Sequence, residues 1–132
     1  MKFYIASKLT NHKRVTNLAN LLKLLGWEHT YDWTVRDSIE EIRTLKAVGQ
    51  KDFNGVRNAD VVIVLTPEGK GTHVELGMAI ALNKIVYICH EDDKYFLCDD
   101  NTSVFYWLPN VVQFVGSIEE LAEKLRTDII GG

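Results

Sequence analysis

The chain has 132 residues, 46% of them hydrophobic and 25% charged, with a formal net charge of −3. That length suits one domain around one core, and a balanced charge with no dense basic stretch excludes the electrostatic footprint of a nucleic-acid binder. MKFYIASK is too short in its apolar part for a signal peptide and no run approaches the roughly 18 apolar residues of a membrane span, so a soluble, cytoplasmic protein is expected.

In chain order, KFYIAS (2–7) opens as a strand. Residues 11–25 carry Val15, Leu18, Leu21, Leu22 and Leu25 at helical spacing, starting near Thr10 or Asn11 and stopping at Gly26. WEHTYDW (27–33) alternates only weakly and is read as a second strand. A helix over 37–57 follows, with a weak point at Gly49. DVVIVL (60–65) and IVYIC (85–89) are near-continuous β-branched runs of the kind buried on both faces of a parallel sheet, and VVQFV (111–115) adds an edge. Between them 72–83 is helical and so apolar, with Val74, Met78, Ala81 and Leu82 as one stripe, that it is expected buried all round. Ser117 with Glu120 three residues on has capping-box spacing and opens a last helix to about 128. The two cysteines, Cys89 and Cys98, are too far apart for a CxxC motif and too few for a disulfide scaffold; both are expected as free thiols, Cys89 in a strand.

Alternating strands and helices imply an α/β domain: a flavodoxin-like, five-stranded parallel sheet with helices on both faces. Ligands in such sheets bind beyond the strand C-termini, here the loops 6–11, 32–37, 66–72 and 90–103. The third loop, TPEGKGT, offers Gly69, Lys70 and Gly71 ahead of a helix N-terminus, which favours an anion; it is not a Walker A loop, and an ordinary βα turn fits it as well. The first loop adds Ser7 and Lys8, with His12, Lys13 and Arg14 behind them. Trp33 either stacks on a nucleobase or fills core. Asp52 is a polar helix residue or an inward carboxylate, Asp60 is structural, and His73 is expected exposed. Four histidines and two cysteines show no metal spacing.

Glu75 has two readings. Thr72-His73-Val74-Glu75 has Ser/Thr-x-x-Glu spacing, so Glu75 either closes a capping box or serves as an ionised nucleophile near the positive end of the helix dipole.

Tyr4 in KFYIAS, Asp52 in DFNGV and Glu75 in VELG, in that order and with the run VELGMAIALNK, resemble the nucleoside 2-deoxyribosyltransferase family over roughly residues 2–116. The family extends to the related 2′-deoxynucleoside 5′-monophosphate N-hydrolases. The resemblance implies that Glu75 attacks C1′ of a 2-deoxyribose to give a covalent glycosyl-enzyme, that Asp52 protonates the departing base, and that Tyr4 orients Glu75. It implies transfer of the sugar to a free acceptor base, or to water in the hydrolase branch, with no cofactor. It also implies a homo-oligomer in which the 101–107 loop, with Ser103 and Phe105, completes a neighbouring site. Two departures lean toward a 5′-phosphate: Gly69 and Lys70 stand where transferases often carry an Asp, and Ser103 matches the hydrolases. A non-catalytic nucleotide-binding module remains the reading from a different class.

Overall fold

VVIVL forms the central strand of a parallel sheet, and all five of its residues are buried, as expected of a β-branched run with a neighbour on each side. The structure, a computed structural model, describes residues 1–35 and 42–131. Its strands are β1 (Lys2–Ser7), β2 (Glu28–His29), β3 (Val61–Leu65), β4 (Ile85–His90) and β5 (Val111–Val115), in the order β2-β1-β3-β4-β5. All pairings are parallel, and Ser7, Leu65 and Cys89 lie in register at the C-terminal edge. The helices are α1 (His12–Leu24), α2 (Ile42–Asn58), α3 (Lys70–Ala81) and α4 (Ile118–Leu125). α1 packs with α4 and α2 with α3, which covers the sheet on both faces in the flavodoxin-like manner.

Local chemistry sets most boundaries where expected. α1 ends at Gly26, whose φ of 84° supports a Schellman closure: Gly26 N–H donates to Lys23 O at 2.9 Å and Trp27 N–H to Leu22 O at 3.3 Å. Ser117 and Glu120 form the predicted reciprocal box at 3.1 and 3.0 Å, and α4 continues as a wider turn over Arg126–Ile130. Asp60 is structural, its Oδ2 accepting the Lys2 N–H at 2.8 Å. Both cysteines are free, Cys89 buried and Cys98 exposed; burial pushes the Cys89 thiol up to about 11, against the pull of Arg14.

Other expectations are corrected. The second strand keeps only two residues of the seven proposed, because beyond His29 the chain turns, with Thr30 N–H still donating to Phe3 O at 3.0 Å. α2 runs unbroken through Gly49, and the part of its expected start over 37–41 lies outside the described residues. α3 begins two residues earlier than proposed and is not buried all round. Thr72, Leu76 and Ala79 face the sheet, whereas Val74 is 57% and Leu82 43% exposed; of the stripe expected to be buried only Met78 packs against the core.

Candidate active site

The strand order turns back on itself between β1 and β3, and a cleft of about 210 Å³ opens beyond that junction. β1 and the loop after it contribute Tyr4, Ser7, Lys8 and Leu9, and the second loop contributes Trp33. α2 contributes Asp52. The third loop and α3 close the far side with Gly69, Gly71, Thr72 and Glu75.

The centre of the cleft is a bond between two elements far apart in sequence. The Tyr4 hydroxyl donates to Glu75 Oε2, and both residues line the cleft. Tyr4 is fully buried in β1, so its phenol reaches Glu75 from a fixed base. Glu75 is half-buried, one turn beyond the start of α3 and beside the sheet-facing stripe Thr72-Leu76-Ala79. The capping-box reading of Glu75 is thereby corrected: the helix cap is Gly69, and Thr72 Oγ1 accepts the Gly69 N–H at 3.1 Å. Thr72 is the third helical residue rather than the cap, which places Glu75 too deep to reach the orphan N–H groups.

The other sequence-predicted residues divide. Ser7 lines the cleft but also ties loops together, donating through Oγ to Leu65 O at 2.8 Å and accepting from Asn11 Nδ2 at 2.8 Å; Asn11 Nδ2 also lies 3.0 Å from Pro67 O. Trp33 is 5% exposed with its Nε1–H donating to Ile5 O at 2.7 Å, so it is a packed wall of the cleft. Lys8 lies across the third loop, its Cγ 3.8 Å from where a Cβ on Gly69 would stand. Lys70 is exposed and does not line the cleft. Ser103 and Phe105 stand apart from it within this chain, in a larger, mostly apolar groove of about 470 Å³ on the outer side of α3 with Leu76, Gly77, Ile80 and Leu108.

Several supports have roles that sequence reasoning did not assign. Leu9, 68% exposed, stands at the cleft mouth. Arg14, in α1, joins two loops, Nη1 donating to Thr66 O at 2.8 Å and Nε lying 3.2 Å from Glu91 Oε1. Gly55, inside the quoted DFNGV, packs directly on the Tyr4 ring; a glycine inside a helical pattern was the signal. Tyr106 OH lies 3.0 Å from His73 Nε2, and His73 lies 3.7 Å from Glu68 Oε1. Burial raises the Tyr106 phenol, aided by the charge of Glu68 and a hydrogen bond to it. Behind them His90 is fully buried between Thr66 Oγ1 at 2.9 Å and Gln113 Oε1 at 3.0 Å, with Tyr95 stacked on it at 4.3 Å. Among the described residues no group of three or more His, Cys, Asp or Glu could hold a metal ion, and no helix is long and apolar enough to cross a membrane.

A cleft at the β1/β3 junction, with a strand tyrosine bonded to a helix glutamate and an aspartate on the facing helix, is the constellation by which the sequence resembled a known family. The family profile for nucleoside 2-deoxyribosyltransferase matches residues 3–123, nearly the whole chain. The chain belongs to the nucleoside 2-deoxyribosyltransferase family. No curated protein sequence matches it significantly. Solved structures do share its fold. Clostridium botulinum CMP N-glycosidase BcmB superposes with a TM-score of 0.65 at 21% identity, covering 95% of this chain and 98% of that one. A 2-deoxyribosyltransferase from the psychrotolerant bacterium Bacillus psychrosaccharolyticus also gives 0.65, at 16% identity over 92% and 90%.

Proposed function

We propose that the protein cleaves the N-glycosidic bond of a 2′-deoxynucleoside or its 5′-monophosphate, with Glu75 as nucleophile. The observation that carries this reading is the hydrogen bond from the buried Tyr4 hydroxyl to Glu75 at the floor of a cleft also lined by Asp52. One Glu75 oxygen, held by Tyr4, orients the other for attack on C1′. The C1′–N bond breaks as the Glu75–C1′ ester forms, and Asp52, protonated, gives its proton to the departing base. In the second half, Asp52 takes a proton from the incoming acceptor, which displaces Glu75 from C1′. That acceptor is a free base in a transferase and water in an N-hydrolase. Retention at C1′ follows from two displacements.

Lys8 above the Gly69–Gly71 turn, at the N-terminus of α3, favours a negatively charged substrate and so the 5′-monophosphate. The similarity to a CMP N-glycosidase is consistent with a nucleotide substrate and with hydrolysis as the second reading of the acceptor step. The exposed apolar side chain of Phe105 on the groove, with Val74 and Leu82 exposed elsewhere along the same helix and its end, supports a homo-oligomer, in which a second copy covers the groove and residues 101–107 approach the neighbour's cleft.

A chromatographic time course on deoxynucleosides and their monophosphates, with and without a free base, tests this directly. Released base without acceptor indicates hydrolysis, and exchanged base indicates transfer. No base released or exchanged from any common substrate, or equal turnover by Glu75→Gln, overturns the reading.

A further inference from the structure

The geometry points to Gly55 as a positioning residue: its missing side chain is the slot that lets the Tyr4 ring lie against α2 and so aims the Tyr4 hydroxyl at Glu75. The inference rests on the function proposed above and concerns how its nucleophile is held. A Cβ on Gly55 would stand 2.9 Å from both Cδ2 and Cε2 of Tyr4 and 3.0 Å from Cβ of Tyr31. These are a packed ring edge and an atom next to backbone, neither of them the free end of a flexible chain. Tyr4 is fully buried and cannot swing into solvent.

α2 cannot easily retreat. Gly55 O accepts the Thr30 hydroxyl at 2.7 Å, and Thr30 N–H is bonded to Phe3 O, next to Tyr4 in β1, at 3.0 Å. The helix is thereby clamped to the strand that carries the phenol. Gly55 also lies three residues after Asp52, on adjoining positions of one helix face, so the same spacing sets how α2 presents its carboxylate. A glycine inside a helix is unfavourable for the helix itself, and the same helix shows the contrast: a Cβ on Gly49 would meet nothing within 4 Å among the described residues. Close approach explains Gly55 and does not explain Gly49.

The test compares Gly55→Ala with Gly49→Ala, Tyr4→Phe and the Gly55→Ala/Tyr4→Phe pair. Gly55→Ala is expected to lower kcat by about 10- to 100-fold with KM within about twofold, since a shift near 1 Å at a reacting group costs rates of that order. Gly49→Ala keeps wild-type kcat. In the Tyr4→Phe background, Gly55→Ala adds no more than about twofold, because no hydroxyl is left to misaim. Thr30→Val loosens the clamp without adding an atom at the ring, and its smaller loss in kcat is expected to vanish in the same background; this variant stands in if Gly55→Ala does not fold. A readout independent of turnover is the downfield hydroxyl proton of a buried phenol bonded to a carboxylate, assigned in the NMR spectrum by its absence from Tyr4→Phe. It is expected to shift or vanish in Gly55→Ala. Wild-type kcat in Gly55→Ala, losses that multiply with Tyr4→Phe, or an unmoved resonance each overturn the assignment. An inactive Glu75→Gln beside a fully active Gly55→Ala leaves the proposed function standing and removes only this inference. If the wild type cleaves nothing, the resonance still decides whether Gly55 places the phenol.

Discussion

The two sides of α3 carry opposite surfaces. The inner side meets the β1/β3 junction in a cleft of about 210 Å³ where a tyrosine, a glutamate and an aspartate converge, and the outer side carries a mostly apolar groove of about 470 Å³. Size alone would choose the groove. Chemistry chooses the cleft, because its groups are held before any substrate arrives: Tyr4 on Glu75, Ser7 on Leu65 and Trp33 on Ile5. The groove's loop is braced mainly by contacts within itself, such as Trp107 Nε1–H to Thr102 Oγ1 at 3.0 Å, and it leaves Val104 and Phe105 exposed. A reactive site is marked by convergent bonds, and a surface awaiting a partner by apolar atoms still in water.

The largest effect separating the two sides is expected at Glu75. Glu75→Gln keeps the volume and still accepts from Tyr4 through its amide oxygen, but cannot attack C1′; cleavage should fall by at least about 10³-fold, with thermal stability unchanged to about 1 kcal/mol. A loss of stability with retained turnover would return Glu75 to a structural role. On the outer side Phe105→Asp is expected to weaken self-association by about 100-fold, as removal of a central aromatic anchor does, without altering the Tyr4–Glu75 bond. Sedimentation across a concentration series checks it, and unchanged association would break the contrast by leaving the groove without a second copy.

Within the cleft, Lys8→Met should cost about tenfold in kcat/KM for monophosphates and little for nucleosides, the scale of one charge-assisted contact near solvent. Equal losses on both substrates would make Lys8 a loop support instead. A smaller effect concerns His90, beneath both loops. Burial holds it below the ordinary histidine value of about 6.5, with Gln113, Glu68 and Asp92 pulling upward. Above that value both folded and unfolded chains keep it neutral, and it contributes no pH dependence. As pH falls below it, the unfolded chain takes the proton first and the fold loses stability, until the folded value is passed. His29, also lowered by burial, acts in the same direction. Unfolding free energy, followed by denaturant titration, is therefore expected flat from pH 8 to 7 and falling toward pH 5, by at most about 1.4 kcal/mol per pH unit for each histidine, and less steeply in His29→Leu.

What was legible in the sequence follows from how local its cause is. Strand runs and the Gly26 and Ser117 signals depend on a few adjacent residues, and the structure keeps them. The second strand and the phase of α3 depend on what lies opposite: β2 is short because the chain turns after His29 and so pairs only with Lys2 and Phe3 of β1, and Val74 faces outward because the sheet-facing stripe starts from Thr72. Tyr4, Asp52 and Glu75 were named by motif resemblance, and the fold brings all three to one cleft. Gly55 and Tyr106 were missed, and Arg14 was named only as a basic residue behind the first loop, because each acts through a contact many residues away that no local pattern records.

Gly77 gives the finest test of the two sides. It lies in VELG, inside α3, where a glycine weakens the helix relative to alanine by roughly 0.5–1 kcal/mol. Gly55 has a reason within the chain; for Gly77, a Cβ would meet nothing within 4 Å among the described residues, and the residue lines the outer groove. A groove left in water should accept Gly77→Ala with a gain of about that size in monomer stability and no other change. A groove in which another backbone approaches α3 closely should show the same gain in the dissociated chain and a loss in association, since the added methyl occupies the contact. Denaturation at low concentration and sedimentation at high concentration measure the two terms separately. Opposite signs are expected, and a gain in both would leave the outer side of α3 as plain solvent-facing helix.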